Sequence, residues 1–143
     1  MGGRGKVFVL RVPEGEELLS YLNEFLESNS VKMGSMFILG SLKKVKLAYL
    51  NVKTGEYVVN EMEGFYELLG LGNVSLKEGK PFAHIHIVLG DEGGRAYMGH
   101  LVEGVVFVAE VVIVEFTGEE ALERRREYGS LWLWPLKVWS STL

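Results

Sequence analysis

The sequence predicts an α+β fold in which one mostly antiparallel β-sheet packs against one main amphipathic helix. The chain has 143 residues, the size of a single domain, and 48% of them are hydrophobic. Near the N-terminus, apolar residues recur with helical spacing, whereas most of the remaining chain consists of β-branched and aromatic runs. We therefore expect one domain over 1–143, with a core of about residues 6–116 and a C-terminal helix and edge strand over 117–143.

The first two elements are a strand and the most regular helix of the sequence. Residues 7–12 are a short β-rich run that ends before Pro13. The apolar residues that follow share one face of a helix, namely Leu18, Leu19, Leu22, Phe25 and Leu26. We expect Glu14, Glu16 and Glu17 in its first turn, where the helix dipole favours negative charge.

The middle of the chain is a series of apolar runs typical of consecutive strands. Gly40 and Ser41 predict a bend or a bulge, and Gly55 has the position of a left-handed residue in a hairpin turn. Residues 105–116 are apolar on both faces of the predicted strand, so we place this strand centrally in the sheet. The predicted strands are 36–39, 45–50, 57–62, 65–76, 82–89, 96–102 and 105–116.

The C-terminal part carries weaker signals. Thr117 and Glu120 have the spacing of a capping box, which predicts a short helix over 121–127. Three consecutive arginines at 124–126 stand among glutamates, and we interpret them as a solvated surface. Residues 131–138 predict a last strand, and Pro135 within it favours the edge of the sheet.

Composition and charge exclude several classes of function. The chain has no cysteine, which excludes disulfide scaffolds, cysteine-based zinc sites and thiol nucleophiles. Its formal net charge is -4, the wrong sign for a domain that holds phosphate backbones through bulk charge. We find no basic leader and no uncharged stretch near the ~20 residues that span a bilayer. We expect a soluble cytoplasmic protein without a membrane partner.

The three histidines of the chain, His84, His86 and His100, fall on two strands that we expect to form one hairpin. His84 and His86 are two residues apart and therefore leave the same face of their strand. A three-residue loop over 91–93, ending on a glycine, would pair His84 with His100 and is the loop we favour. A five-residue loop has the same parity, whereas a four-residue loop would place Ile85 opposite His100. Odd loop lengths thus bring three imidazoles to one face.

Three converging imidazoles predict a metal site. Neutral imidazole is the commonest metal ligand, and three of them with an open fourth position form the arrangement of catalytic zinc. The alternative is that the rings are ordinary half-buried histidines, hydrogen-bonded to the backbone or to Glu103. Two carboxylates are candidate catalytic residues. Glu103 would orient a ligand or act as a general base, and Glu110, inside an apolar run, would be buried and either functional or paired with Arg95 or a lysine.

Three segments resemble a known family. The run GFYELLGLG at 64–72 is similar to a plant signature, and PFAHIHIVLGD at 81–91 with GRAYMGHL at 94–101 is similar to a prokaryotic histidine pattern. The plant signature and the prokaryotic pattern are both those of the PPC domain, a family found in plants and prokaryotes. The resemblance extends over about residues 6–116. The resemblance implies a curved antiparallel sheet and a homotrimer, in which His84, His86 and His100 hold a metal, zinc. The plant members also carry a DNA-binding AT-hook, which this chain lacks.

Two hypotheses about function follow. The first is a homotrimeric binding or regulatory module, with a DNA or a protein partner and a three-histidine metal site. The second is a zinc-dependent enzyme acting on a small molecule, in which zinc activates water and Glu103 or Glu110 moves protons. The acidic charge and the missing hook weigh against DNA, and the absence of an assured base weighs against the enzyme. The sequence favours the module.

Overall fold

The computed structural model describes residues 5–118 and 120–138. Within them the chain forms one helix and seven strands, so the α+β class is confirmed. The described helix is not of the length and apolarity that a membrane crossing requires. The elements are β1 (Val7–Val12), α1 (Leu18–Ser28), β2 (Gly34–Asn51), β3 (Glu56–Lys77), β4 (Lys80–Gly90), β5 (Ala96–Glu115), β6 (Arg125–Tyr128) and β7 (Leu131–Leu133).

Strands β1 to β5 form one antiparallel sheet in the order β1-β5-β2-β3-β4. The last part of β5 pairs with β1, and its first part pairs with β4. Strands β2, β3, β4 and β5 therefore form a closed circuit of backbone pairings. Residues 109–114 pair with β1 on one side and with β2 on the other, which confirms the central position that the apolar pattern of this segment predicted.

The strands are longer than the sequence predicted, because the residues expected to end them produce local irregularities instead. The predicted runs 36–39 and 45–50 are both parts of β2, whose pairing register shifts between Ser41 and Lys44. At Gly40 a Cβ atom would lie 1.9 Å from the carbonyl oxygen of Val108. Only glycine permits this approach of β5, so the predicted bulge is present but the strand continues through it.

Helix α1 packs on the inner face of the sheet, mainly against β4 and β5. Leu18, Leu22 and Leu26 are fully buried there, as their spacing predicted. Glu17 is the N-cap and accepts hydrogen bonds from the backbone N–H groups of Leu19 and Ser20. The glutamates expected in the first turn thus precede the helix, because a carboxylate satisfies the free N–H groups best from the cap position.

The C-terminal prediction of a helix over 121–127 is wrong. The chain instead runs beside the end of β3, where Leu76 N–H donates to the carbonyl of Leu122 and Arg124 N–H donates to the carbonyl of Leu76. The pairing of β2 with β3 stops at Val74, so the backbone of Leu76 is open on that side. Burial of Leu122 and these hydrogen bonds outweigh the local helical signal.

The last predicted strand is shorter than expected. Strand β7 pairs only with β6 and ends at Leu133, so Pro135 lies outside it. Residues 139–143, and Glu119 between the two residues of the predicted capping box, lie outside the described part of the chain.

Candidate metal centre

The structure brings His84 and His86 of β4 together with His100 of β5. One ring nitrogen from each lies within 4.8 Å of the others, and the Nε2 atoms of His84 and His86 are 3.1 Å apart. The ring centre of His100 is 5.1 Å from that of His84 and 5.8 Å from that of His86. The convergence that the parity argument predicted is therefore present.

The loop that sets this register is longer than the favoured prediction. Gly90 pairs with Ala96 across a five-residue loop, so His86 rather than His84 lies directly opposite His100. Asp91 holds the wider loop, because its carboxylate accepts hydrogen bonds from the backbone N–H and the Nε of Arg95, 2.9 and 3.0 Å away. These hydrogen bonds lower the pKa of Asp91. The parity is unchanged, and all three rings stay on one face.

The surroundings keep two of the rings neutral. Burial, the positive charge of Arg124 and the other two histidines together lower the pKa of His84 to about 4, and burial has the largest effect. Burial also lowers the pKa of His100, with Arg124 and Lys77 acting in the same direction. At neutral pH each of these two imidazoles is therefore uncharged and has one unprotonated nitrogen. This is the form that binds a metal ion.

His100 has an unsatisfied polar atom. Its Nδ1 is buried without a hydrogen-bond partner among the described residues, and its ring stacks on Tyr57 with centres 5.5 Å apart. A buried nitrogen without a partner is costly in a folded protein unless a bound ion or water molecule satisfies it.

The donor set fits a zinc ion. Tetrahedral zinc with nitrogen at 2.0–2.1 Å requires ligand atoms ~3.4 Å apart. The nitrogens of His84 and His86 are 3.1 Å apart, and all three ligand atoms lie within 4.8 Å of one another. Three imidazole nitrogens, in a chain without cysteine, leave a position for a fourth ligand.

Residues 1–117 match the sequence model of the Plants and Prokaryotes Conserved (PCC) domain. The chain belongs to this family. A crystal structure of a plant- and prokaryote-conserved protein from Pyrococcus horikoshii is 44% identical, with a TM-score of 0.90 and coverage of 96% of this chain and 97% of that one. A metal-containing protein from Archaeoglobus fulgidus is 36% identical, with a TM-score of 0.86 and coverage of 94% and 96%.

One curated relative is much longer than this chain. The bifunctional protein GlmU of Synechococcus sp. is 27% identical over 117 residues, which are 79% of this chain. The match spans 18% of the length of that protein.

A pocket of about 110 Å³ opens beside the histidines. Strands β3 and β4 and the first part of β5 supply half of its lining, and the chain beyond the PCC match supplies the other half. The lining residues from within the match are Tyr57, Lys77, Phe82, His84 and His100, and those beyond it are Arg124, Ser130, Leu131, Trp132 and Leu133. His86 lies outside this pocket, on the exposed side of the cluster.

Arg124 is one of the pocket residues that the sequence did not place at the site. It is 6% exposed, whereas Arg125 and Arg126 are exposed, so the three arginines do not form one solvated surface. Its guanidinium donates to the carbonyl of Trp132 at 2.9 Å and to Oδ1 of Asn73 at 2.7 Å. Burial lowers the pKa of Arg124.

The two candidate carboxylates lie away from the pocket. Glu103 is exposed, and its Oε2 is 3.1 Å from Nζ of Lys46. The pKa of Lys46 is raised, first by the hydrogen bond to Glu103. Glu110 was expected to be buried, but it is exposed on the outer face of the sheet. There it pairs with Arg11 of β1 and with Leu39 of β2. The strand is central, yet its outer face is open, which explains this exposure.

Proposed function

We propose that this PCC-domain protein is a homotrimeric metal-binding module in which His84, His86 and His100 hold a zinc ion. The observation that carries the proposal is the convergence of three imidazole nitrogens within 4.8 Å on one face of a hairpin. The metal-containing relative from Archaeoglobus fulgidus, which covers nearly the whole chain, supports it. A bound zinc ion would supply a positive charge and a Lewis acid at the mouth of the pocket.

The residues of the chain prepare this site before any metal arrives. Burial and the charge of Arg124 hold His84 in the neutral form, so no proton competes for its free nitrogen at neutral pH. The stacked ring of Tyr57 restricts the orientation of His100. Both effects lower the cost of assembling the three ligands.

A binding role has more support than catalysis. No described aspartate or glutamate lines the pocket, and Glu103 is engaged by Lys46 on the surface. An enzyme that activates water needs a group to accept the proton, and Glu110 faces outward on β5. The zinc-enzyme alternative would require a base from elsewhere.

The outer face of the sheet supports assembly of the module. A row of apolar side chains on β1, β2 and β3, each more than half exposed, ends beside His86, and the half-buried Val112 of β5 lies between its β1 and β2 members. We call this row the apolar face, and its residues are Val9, Phe37, Leu39, Leu69 and Leu71. Phe37 and Leu71 are Cα partners, and Leu71 is the Cα partner of His86. Contiguous exposed apolar surface of this kind marks a protein interface.

The module could bind DNA as its partner, and the charge distribution gives this role less support. Lys43, Lys44 and Lys46 each pair with a glutamate, and Arg124 is buried. Arg125 and Arg126 remain as exposed cations on β6. A titration with duplex DNA across a range of salt concentrations tests this role, because phosphate contacts strengthen at low salt. Undetectable binding at low salt would remove it.

The metal site is tested by zinc content. The protein is stripped with a chelator, reloaded with zinc, desalted and measured by elemental analysis. We expect about one zinc per chain in the wild type, as one three-histidine site binds one ion. His84→Ala should reduce the content to background. The matched control is Val88→Ala, a half-buried neighbour on the same face of β4, which should keep its zinc. Background zinc in the reloaded wild type would contradict the proposal.

A further inference from the structure

The pocket beside the histidines contains two cationic side chains and no acidic one. Arg124 and Lys77 both line it, and no aspartate or glutamate is among the lining residues. No described carboxylate lies within ion-pair distance of Arg124 or Lys77. The described residues therefore give the pocket a net positive charge that no carboxylate among them balances.

Arg124 is the stronger indication of a missing anion. The guanidinium has five N–H donors, and two of them reach the neutral oxygens of Trp132 and Asn73. Its buried Nε has no partner among the described residues. The rings of Phe82 and Trp134, 5.7 and 5.4 Å away, offset part of the charge. A buried guanidinium without a carboxylate partner is unfavourable, and a bound anion removes that penalty.

Lys77 places a second charge over the same space. Its Nζ lies 4.8 Å from the ring centre of Phe82 and 4.9 Å from that of Trp132. These two cation–π contacts hold the ammonium above the pocket without neutralising it. The ammonium is therefore positioned to meet a negative group.

The rest of the pocket selects for a compact apolar body. Aromatic and aliphatic side chains are half of its lining residues, namely Tyr57, Phe82, Leu131, Trp132 and Leu133. The volume of about 110 Å³ is somewhat smaller than the ~150 Å³ of an engineered protein cavity that binds benzene. A ligand here is thus restricted to one small ring or a short chain. An inorganic ion would leave the apolar wall without a partner.

We propose that this pocket binds a small organic acid, with its carboxylate beside Arg124 and Lys77 and its apolar part against the aromatic wall. The guanidinium is suited to this role because its planar donors match the two oxygens of a carboxylate. The site stands on two cations that are independent of the metal. Zinc held by His84 and His100 at its edge would add attraction for the same carboxylate, so this part of the argument rests on the proposed function.

The experiment is calorimetric titration of the full chain with benzoate, benzamide and inorganic phosphate. Benzamide has the shape of benzoate without its charge, and phosphate has the charge without an apolar body. We expect benzoate to bind most tightly. Each titration is performed on zinc-loaded and on chelator-treated protein, and the zinc content of every sample is measured.

Two pairs of variants locate the binding. Lys77→Gln and Arg124→Gln should each weaken benzoate binding roughly tenfold, the size expected for a lost charge-assisted hydrogen bond. Lys80→Gln is the control for Lys77, since Lys80 is its exposed partner across the β3–β4 turn. Arg125→Gln is the control for Arg124, because it makes the same change one residue away on the surface. Both controls should bind benzoate as the wild type does.

Several outcomes would overturn the proposal. They are equal binding of benzamide and benzoate, tighter binding of phosphate than of benzoate, no binding of benzoate, or unchanged affinity in Lys77→Gln. Circular dichroism verifies that Arg124→Gln is folded, and Lys77→Gln keeps the test decisive if it is not. Benzoate binding that depends on Lys77 in a protein that never takes up zinc would sustain the pocket while removing the metal, so the two proposals fail separately.

Discussion

His84 shows how a single residue is prepared by its surroundings. The ring lies in the wall of the pocket, with burial, the charge of Arg124 and the other two histidines all opposing its protonation. The result is a pKa of about 4, well below the usual value of 6.5. The same surroundings that favour metal binding therefore also make the folded protein sensitive to acid.

This sensitivity predicts a pH-dependent stability for the metal-free protein. In the unfolded chain His84 takes up a proton near pH 6.5, whereas in the folded protein it does so only near pH 4. Between these values the unfolded state binds more protons, so the free energy of unfolding falls as the pH is lowered from about 6.5 to about 4. Urea denaturation of chelator-treated protein at a series of pH values measures this fall.

The control for the pH effect is His84→Gln, which removes the titrating group and keeps a polar side chain. Other groups also titrate in this range, so the quantity of interest is the difference between the two proteins. We expect the wild type to lose more stability than His84→Gln over the window. Parallel curves for the two proteins would show that His84 has an ordinary pKa.

The sequence could predict some of the residues that meet at the site, but not all of them. The convergence of the three histidines depends only on the alternation of side chains along strands, so either odd loop length predicts it. The pairing of His86 with His100 depends on Asp91 and its contacts with Arg95, which are tertiary details of the loop. Arg124 could not be found, because its partner Asn73 is 51 positions away in the chain.

Among the elements, α1 depends on one carboxylate that joins it to the sheet. Besides capping the helix, Glu17 accepts a hydrogen bond from the backbone N–H of Gly104 in β5, 2.9 Å away. The neighbouring backbone reinforces this junction, as Val106 N–H donates to the carbonyl of Glu16. The start of the helix and the middle of β5 are thus fixed to each other.

Removal of this carboxylate should destabilise the fold. Glu17→Ala leaves the N–H groups of Leu19, Ser20 and Gly104 without their acceptor, and we expect the free energy of unfolding to fall by about 1–2 kcal/mol. Glu16→Ala is the matched control, since this side chain is exposed and its role is confined to the backbone. Urea denaturation should place the control within ~0.5 kcal/mol of the wild type. Equal losses in the two variants would contradict this role of Glu17.

The sequence predicts whether a segment is a helix or a strand better than it predicts where that helix or strand begins and ends. The spacing of leucines identifies α1, and alternation identifies the strands, because both patterns are local. Strand ends are set by neighbours: β2 continues through Gly40 because β5 lies against it. The false helix over 121–127 has the same cause, since the open backbone of Leu76 decides its conformation.

For the whole molecule, the apolar face leads to a prediction about assembly. Burial of these side chains between copies of the chain would remove contiguous apolar surface from water and so favour association. We expect light scattering coupled to gel filtration to give three times the chain mass of 16.0 kDa. Leu39→Glu places a charge in the middle of this face and should yield the single-chain mass.

The control for assembly is Val52→Glu, which adds the same charge at an exposed position in the β2–β3 turn, away from the apolar face. It should keep the wild-type mass. A wild type that stays at the single-chain mass over a wide range of protein concentrations would refute the trimer while leaving the zinc measurement unaffected.

Half of the pocket is lined by the chain after residue 117, and this affects how ligand selectivity can change in such a protein. The ligands of the candidate metal centre lie on the strands of the closed circuit, whereas Arg124 and the residues of β7 belong to a tail that attaches through Leu76 and the β2–β3 turn. Substitutions in that tail can alter which molecule is recognised without changing the four paired strands beneath it. Grafting a different tail onto the same strands is therefore a direct route to new selectivity.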